Sequence, residues 1–486
     1  MSAAQRIDAD VAVVGAGAAG LYAALTVARE GGRTALVSAT QLAETASYWA
    51  QGGLAAALAE DDTPELHLLD TLQAGRGAVR PSAAAILCRD APERVRDLEQ
   101  LGVRFDADRS GALVLGREGG HTLRRVVHAG GSATGRRVVR QLSAMAAGDE
   151  RIEVLERARA EGLLTGDGRC LGVALEDGRS VRARAVIISS GGAAALWSRT
   201  TNPPGSQGSG LLLAREAGAA LADLEFVQFH PTAVIGVRGR EGFLITEAIR
   251  GEGATLHDAS GERFVDELAP RDEVARAIQL RMAQTGGDAV WLDMRAIDPA
   301  LFPNVVNALR EAGVDPARER IPVAPAAHYV MGGVVSDVDG RTNVAGLYAA
   351  GEVACTGLHG ANRLASNSLS ECFVFGRRAA LSALNERDSA GEPEPAERRV
   401  RLPVASRETR AAMWRFAGLE RRPEELEQLL SEPHPLARAV AACALAREES
   451  RGAHVRVDHP ELDPRLDLQH AVLGPGDWRP RFERWT

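Results

Sequence analysis

The run Asp10-Val-Ala-Val-Val14, continued by Gly15-Ala-Gly17-Ala-Ala-Gly20 and an Ala/Leu-rich stretch to about Arg29, decides the fold. After Asp10 the first segment is short and wholly apolar, the pattern of a strand buried on both faces of a parallel sheet. Three glycines then make a turn whose backbone can approach a pyrophosphate, and the helix that follows presents its N-terminus to that charge. Gly31-Gly32 stop the helix, and Thr34-Ala-Leu-Val-Ser38 reads as the next parallel strand. This is the βαβ opening of a dinucleotide-binding domain. Ser38-Ala39 stand where a ribose-binding acid would end the second strand, which disfavours a simple NAD site.

Further along, Ala185-Val-Ile-Ile-Ser189 and Gly346-Leu-Tyr-Ala-Ala-Gly351-Glu352 read as two more buried strands. Strands of one sheet thus flank the segment from about 225 to 335, which marks it as an insertion. The predicted organisation is a discontinuous cofactor-binding domain over 1–225 and 335–385, with a capping domain over 226–334. A polar, Pro-bearing linker follows over 386–400, then a C-terminal helical domain with an irregular tail over 401–486. A strand ending in Gly351-Glu352 resembles the late motif with which FAD proteins of the glutathione-reductase type hold the ribityl chain. Its plain alternative is an exposed Glu at the end of a core strand. The two glycine motifs together favour FAD over NAD.

Composition narrows the function. Net charge is −8, so electrostatics give no support for binding nucleic acid. All 57 residues in the Lys+Arg count are arginine, which excludes Schiff-base chemistry on lysine and P-loop NTPases. The five cysteines are widely spaced with no CxxC pair, against a disulfide framework, zinc ribbon or iron–sulfur cluster. No metal site and no membrane span are expected, and the location expected is cytoplasmic.

Six motifs appear in order: Ser47-Tyr-Trp-Ala-Gln51-Gly52-Gly53-Leu54, Glu225-Phe-Val-Gln228-Phe-His230-Pro231-Thr232, Leu244-Ile-Thr246-Glu247-Ala-Ile-Arg250, Leu268-Ala-Pro-Arg271-Asp272, Ala327-His328-Tyr-Val-Met-Gly332-Gly333, and Gly357-Leu-His-Gly360-Ala-Asn362-Arg363-Leu-Ala-Ser-Asn-Ser368-Leu369. The series resembles the succinate dehydrogenase/fumarate reductase flavoprotein superfamily and, within it, the L-aspartate oxidase family. The resemblance implies an α/β FAD-binding dinucleotide fold of glutathione-reductase type, with an inserted α+β capping domain and a C-terminal helical domain. In the membrane-associated relatives a His five residues before the AQGG glutamine bonds covalently to flavin. Here that position is Ala46, so non-covalent FAD is expected. Arg117-Glu118-Gly-Gly-His121-Thr-Leu-Arg-Arg125-Val-Val-His128 resembles a segment of the amino-acid-oxidising branch whose Glu the dicarboxylate-reducing relatives lack.

The implied activity is oxidation of L-aspartate to iminosuccinate by hydride transfer to flavin, with reoxidation by O2 (giving H2O2) or fumarate. This is the first step of de novo NAD synthesis, handing iminosuccinate to quinolinate synthase. Two carboxylates leaving water need several cationic or hydrogen-bonding partners, and Arg363, His230, His328 and Thr246 supply a fork, two imidazoles and a hydroxyl. Gln228 and His230, two apart on a strand, share a face. Glu118 is the anionic candidate for the substrate ammonium, rejecting succinate for want of a cation.

By pattern alone Arg271 is a solvated cation at an unfavourable helix N-terminus. The resemblance instead gives it proton transfer; a guanidinium is a poor base, so electrostatic help to the substrate carboxylate is the alternative role. Expected FAD contacts are Gly15, Ala16, Gly17, Ala18, Ala19, Gly20 and Ser38, then Ala46, Ser47, Tyr48, Trp49, Ala50, Gln51, Gly52 and Gly53, then Glu352, Ser368 and Leu369. Ser209 and Ala39 depart from residues usual at that site, so loosely held FAD is expected. The rival readings are a soluble fumarate reductase or succinate dehydrogenase-like enzyme and a flavin-binding protein without catalysis.

Overall fold

The structure, a computed structural model, describes residues 5–387 and 402–486. Most of the expected linker therefore lies outside the described residues. The Asp10–Val14 run forms the C-terminal half of the strand Arg6–Val14, which pairs in parallel with Thr34–Val37 on one side and Ser180–Ile188 on the other. Val11, Ala12 and Val13 are fully buried, as expected for a strand with helices on both faces. Ile152–Leu155 extends the sheet beyond Thr34–Val37, and Leu347–Ala349 adds in parallel to Ser180–Ile188. An antiparallel pair, Ala160–Gly166 and Arg169–Leu175, completes seven strands.

The helix Ala18–Arg29 lies against the helix Asn367–Leu384. Small residues permit the approach: a Cβ on Gly376 would stand 3.1 Å from the Ala19 carbonyl oxygen. Tyr22 and Phe373 meet edge to face, ring centroids 5.2 Å apart.

Within the segment read as an insertion, four antiparallel strands run in the order Val227–Val234, Ile321–Val330, Val290–Asp293, Thr255–His257. Val234, Leu256, Val290, Leu292, Ile321 and Val323 of these strands form a separate hydrophobic cluster with the helix Arg271–Thr285 and the helix Pro303–Glu311, whereas Val227, Phe229, Ala327 and Val330 join the cluster of the main body. The turn after Val14 and the turn after Ala349 both lie at C-terminal ends of parallel strands, where open α/β sheets bind their ligands.

Two features of the C-terminal part differ from the expectation. Gln469–Leu473 and Arg481–Arg484 are strands of a five-stranded sheet with Leu221–Ala222, Gly333–Val335 and Ala354–Cys355, so the tail is not irregular. Edge strands this short carry too little period-two pattern to be read among prolines. The helices Arg407–Phe416, Pro423–Leu429 and Pro435–Ala446 do form. However, Leu426, Leu436, Val440 and Cys443 belong to the same buried cluster as Val186, Ile188 and Trp197 of the main body. No described helix is long and apolar enough to cross a membrane.

The nucleotide turn is sterically exacting. Gly15 has φ +115°, and a Cβ on Gly20 would stand 1.8 Å from the Gly15 carbonyl oxygen. The obstacle is backbone, which cannot rotate away as a side chain could. Gly20→Ala is therefore expected to destabilise the flavin-free protein by about 1–3 kcal/mol and to reduce FAD retention. An unchanged unfolding midpoint would refute the close approach.

Candidate active site

Gln228 and His230 lie on the strand Val227–Val234 and are both buried, while Phe229 between them faces the opposite way against Trp414, ring centroids 5.9 Å apart. The partner strand is irregular where it matters. Gln228 pairs with Tyr329 but Phe229 pairs with Ala327, so His328 is the extra residue of a β-bulge. A bulge re-aims side chains. It lets the adjacent residues His328 and Tyr329 both address one site, which strict alternation forbids. The His230 and His328 rings stand 5.2 Å apart, centroid to centroid.

Arg271 opens its helix but is not a solvated cation; it is only 8% exposed. Its Nε donates to Glu247 Oε2 (2.6 Å) and its Nη1 to Gln228 Oε1 (3.0 Å). Arg363 reaches the same Gln228 Oε1 through Nη2 (3.0 Å) and donates through Nη1 to Ser368 Oγ (2.7 Å). Gln228 is fixed in turn by its Nε2, which donates to Asn362 Oδ1 (2.9 Å) and the Arg363 carbonyl (2.8 Å). Two guanidinium nitrogens that share one acceptor lie within twice the bond length of each other. At that separation like charges repel by roughly 3 kcal/mol for an effective dielectric near 20. Glu247 offsets one of them. It also stands 3.3 Å from Arg250 Nη2 and accepts from the Gly119 amide (3.1 Å).

The protonation states follow. Burial would raise the Glu247 carboxyl, but Arg271 and Arg250 outweigh it and hold it below the usual range. Burial first, then Arg271, lowers Arg363 to about 10, so it is charged at neutral pH. Burial, with Arg271 and the other ring adding, drives His230 well below its ordinary value. Burial, Arg363 and Arg271 do the same to His328. Both imidazoles are neutral. His230 Nδ1 accepts from the Thr232 amide (3.3 Å), which assigns the ring proton to Nε2.

Glu118 is buried, with Oε2 accepting from Ser366 Oγ (2.7 Å) and Oε1 3.9 Å from His128 Nε2. Ser366 is held at φ +61°, the left-handed region, where it also reaches the Gly53 amide (3.1 Å). His121 is set back: Nε2 meets the Ala365 carbonyl (2.8 Å), and Nδ1 meets Arg125, which is itself paired with Asp62 and Asp70. Thr246 is buried at the N-cap of the helix Glu247–Gly251.

Several buried polar atoms here have no partner: Arg363 Nε, His230 Nε2, Glu118 Oε1 and Gln51 Oε1. Each such atom costs about 1–3 kcal/mol unless something completes it. Arg363 Nε and His230 Nε2 are donors and Glu118 Oε1 is an acceptor, so this cluster suits a ligand with anionic groups and a hydrogen-bond donor, while Gln51 Oε1 lies with the expected cofactor residues.

The expected cofactor residues lie beside this pocket. Ser47 Oγ accepts from the Ala18 amide (3.1 Å) and would stand 3.1 Å from a Cβ on Gly17. The N-cap residue of the helix Ala18–Arg29 is Gly17, which has no side chain to cap it, and its first turn holds no acid, which leaves its N-terminal dipole for an anion. Ala16 and Ser38 are buried, and Leu369 is 8% exposed. Ala46–Trp49 form a 3-10 turn packed under the helix Thr134–Gly148. Trp49 projects outward, 61% exposed, so this turn offers its main chain rather than that ring. Gln51 Nε2 donates to the Leu244 carbonyl (2.6 Å). Glu352 is turned to the Val330 amide (3.1 Å) and to Gly192.

Comparison with known proteins agrees with the geometry. An FAD binding domain family matches residues 10–369, and a fumarate reductase flavoprotein C-terminal family matches 425–482. An L-aspartate oxidase of Caulobacter vibrioides is 46% identical over 93% of this chain and 94% of its own. One from Streptomyces coelicolor is 43% identical over 96% and 91%. The chain belongs to the L-aspartate oxidase family. Among solved structures, a chain of E. coli quinol fumarate reductase superposes with TM-score 0.88 at 29% identity, covering 99% of this chain and 96% of that one. The family and fold expected from the motifs are thus confirmed.

The residues present fit the FAD of this family: Gly15 and Gly20 leave no room for a Cβ, the helix that follows has no acid in its first turn, and Gln51 Oε1 is unpartnered. Among the described residues no three His, Cys, Asp or Glu side chains could hold a metal ion.

Sequence reasoning did not single out Glu247, Arg250, Ser366 or Tyr329 for the site, although all stand within or beside the quoted motifs. A glutamate and an arginine three apart directly after Thr246, in an otherwise apolar segment, were the available signal.

Burial pushes the Glu352 carboxyl up from 4.5 to about 7. The folded chain therefore holds this proton longer than the unfolded chain. Stability of the flavin-free protein falls as pH climbs from about 4.5 to about 7, and the penalty persists above that. Glu352→Gln keeps an acceptor for Val330. It is expected to raise the unfolding midpoint at pH about 8 and to leave it nearly unchanged at pH about 5; a gain of equal size at both would contradict the titration.

Proposed function

We propose that the protein is an FAD-dependent oxidoreductase that converts L-aspartate to iminosuccinate, the first step of de novo NAD biosynthesis. The observation that carries the reading is the mixed pocket. Arg363 Nε and His230 Nε2 are unpartnered donors, and Glu118 Oε1 is an unpartnered carboxylate oxygen, all buried and brought together from segments far apart in the chain.

In this reading Arg363, His230, His328 and Thr246 bind the two substrate carboxylates. Gln228 holds the Arg363 and Arg271 guanidiniums in fixed orientation by accepting from both. Glu118 receives the ammonium, and Ser366 holds its carboxylate in place through Oε2. FAD, when bound, supplies the hydride acceptor for the α carbon. Arg271 takes the proton that the substrate nitrogen must lose as the hydride leaves, giving up its own Nε proton to Glu247, which stands close to Arg250. The carboxylate partner makes a guanidinium useful here, since alone it is too weak a base. A cap over 226–334 closing on the cofactor-binding part over 1–225 and 335–385 would exclude water from the reaction.

Ala46 offers no side-chain nucleophile where covalent relatives carry one, so FAD is held without a bond. Gly15, Ala16, Gly17, Ala18, Ala19, Gly20 and Ser47 serve its pyrophosphate end. Gln51, Gly52, Gly53, Glu352, Ser368 and Leu369 serve the end nearer the substrate. O2 or fumarate reoxidises the enzyme, and the iminosuccinate passes to quinolinate synthase in a cytoplasmic setting.

Steady-state turnover tests the reading. L-Aspartate is expected to generate hydrogen peroxide in oxygenated buffer with added FAD. Succinate oxidation without aspartate turnover would overturn the assignment. Arg363→Leu should raise KM for aspartate by about ten- to a hundredfold, the worth of a charged hydrogen-bond pair; an unchanged KM counts against the clamp. Glu118→Gln should cut kcat/KM for aspartate by about tenfold or more while sparing fumarate reduction. Equal losses in both directions would remove Glu118 as the ammonium contact.

A further inference from the structure

Arg363 is also held from behind. Its guanidinium carbon stands 4.6 Å from the centroid of the Tyr329 ring. The Tyr329 hydroxyl donates to Glu371 Oε2 (2.7 Å), and the same oxygen meets His359 Nε2 (2.9 Å). The Tyr329 and His359 rings are perpendicular, 5.3 Å between centroids. All three residues are buried. They come from three places: the strand Ile321–Val330, the loop before Arg363, and the helix Asn367–Leu384.

A buried guanidinium needs a counter-charge. Glu247 is committed to Arg271 and Arg250, and Glu118 and Glu352 act on Arg363 only through space, with no bond to it. Glu371 makes no ion pair with Arg363. A phenol that donates to a carboxylate, however, carries a more electron-rich ring, and the ring face is what Arg363 meets. The face also fixes the guanidinium plane, while Ser368 and Gln228 fix its rotation within that plane. Nε is left as the unpartnered donor.

We propose that Tyr329, backed by Glu371 and His359, is a positioning platform for Arg363, setting its plane and passing it through the ring the counter-charge it lacks before a dicarboxylate binds. This rests on the reading of Arg363 as the carboxylate clamp. Tyr329 meets the clamp through its ring face on Arg363, and Glu371 and His359 bond to Tyr329 and to each other, so in this proposal they act through Arg363.

The test is a titration of the oxidised, FAD-loaded protein with succinate, a dicarboxylate that Glu118 disfavours but Arg363 still clamps, taken to concentrations that saturate the unaltered protein and followed by the perturbation of the flavin spectrum. KM and kcat for L-aspartate are measured alongside. Tyr329→Phe keeps the ring and cuts its bond to Glu371; Glu371→Gln keeps the shape and removes the charge. Each is expected to weaken succinate about three- to tenfold, and Tyr329→Leu about thirtyfold, the range of a desolvated cation–π contact. KM should rise in parallel, with kcat within about twofold.

Tyr329→Phe and Glu371→Gln proteins that hold FAD and bind succinate like the unaltered protein overturn the proposal. So does a fall in kcat with KM unchanged. Should Tyr329→Leu fail to fold, the two volume-preserving variants decide. If Arg363→Leu itself keeps succinate affinity, the clamp reading has failed. If it loses affinity while Tyr329→Phe and Glu371→Gln keep theirs, only the platform has failed.

Discussion

Two guanidinium groups converge on one amide oxygen, and much of the site is arranged around that repulsion. Arg271 and Arg363 share Gln228 Oε1, and only Arg271 has a carboxylate bonded to it. An excess of positive charge in a buried pocket is unstable unless something anionic completes it. Burial makes the demand stronger, because water cannot screen the charges. The neutral imidazoles of His230 and His328 add donors without adding charge, which would have made the pocket costlier still.

The fold answers the question of how such a cluster is held. Gln228 comes from a strand edge, Arg271 from a helix N-terminus, and Arg363 from the loop before the helix Asn367–Leu384, which packs on the nucleotide-binding helix. The bulge at His328 brings two successive residues to the same place. On the far side of the Gln228 strand, a fully buried group of Arg447, Glu449, Arg451 and Glu225 ties the C-terminal segment to the chain just before Gln228. The arginine-rich stretch after the last long helix is thus a salt-bridged helix end that lies inside the protein.

Legibility in the sequence followed the range of the interaction. The parallel strands and glycine turn were plain, because a continuous apolar run and a fixed glycine spacing are local signals. Gln228 and His230 could be placed on one face by period two. Arg271 could not be separated from a solvated helix-start cation, since its partners lie 24 and 43 positions away. Glu371 sits on a helix whose pattern says nothing of Tyr329, 42 residues earlier. The bulge at His328 was invisible for the same reason: register depends on the partner strand. The helical C-terminal segment was legible as helices but not as part of the main core, which only packing reveals.

The central claim is that this positively lined pocket is completed by a substrate bearing two carboxylates and an amino group. The most direct measurement is the visible spectrum of the FAD-loaded protein in the absence of oxygen, before and after one amino acid is added. L-Aspartate should bleach the flavin band while L-alanine, which lacks the side-chain carboxylate, leaves it unchanged. A band untouched by aspartate, or bleached equally by both, would contradict the account.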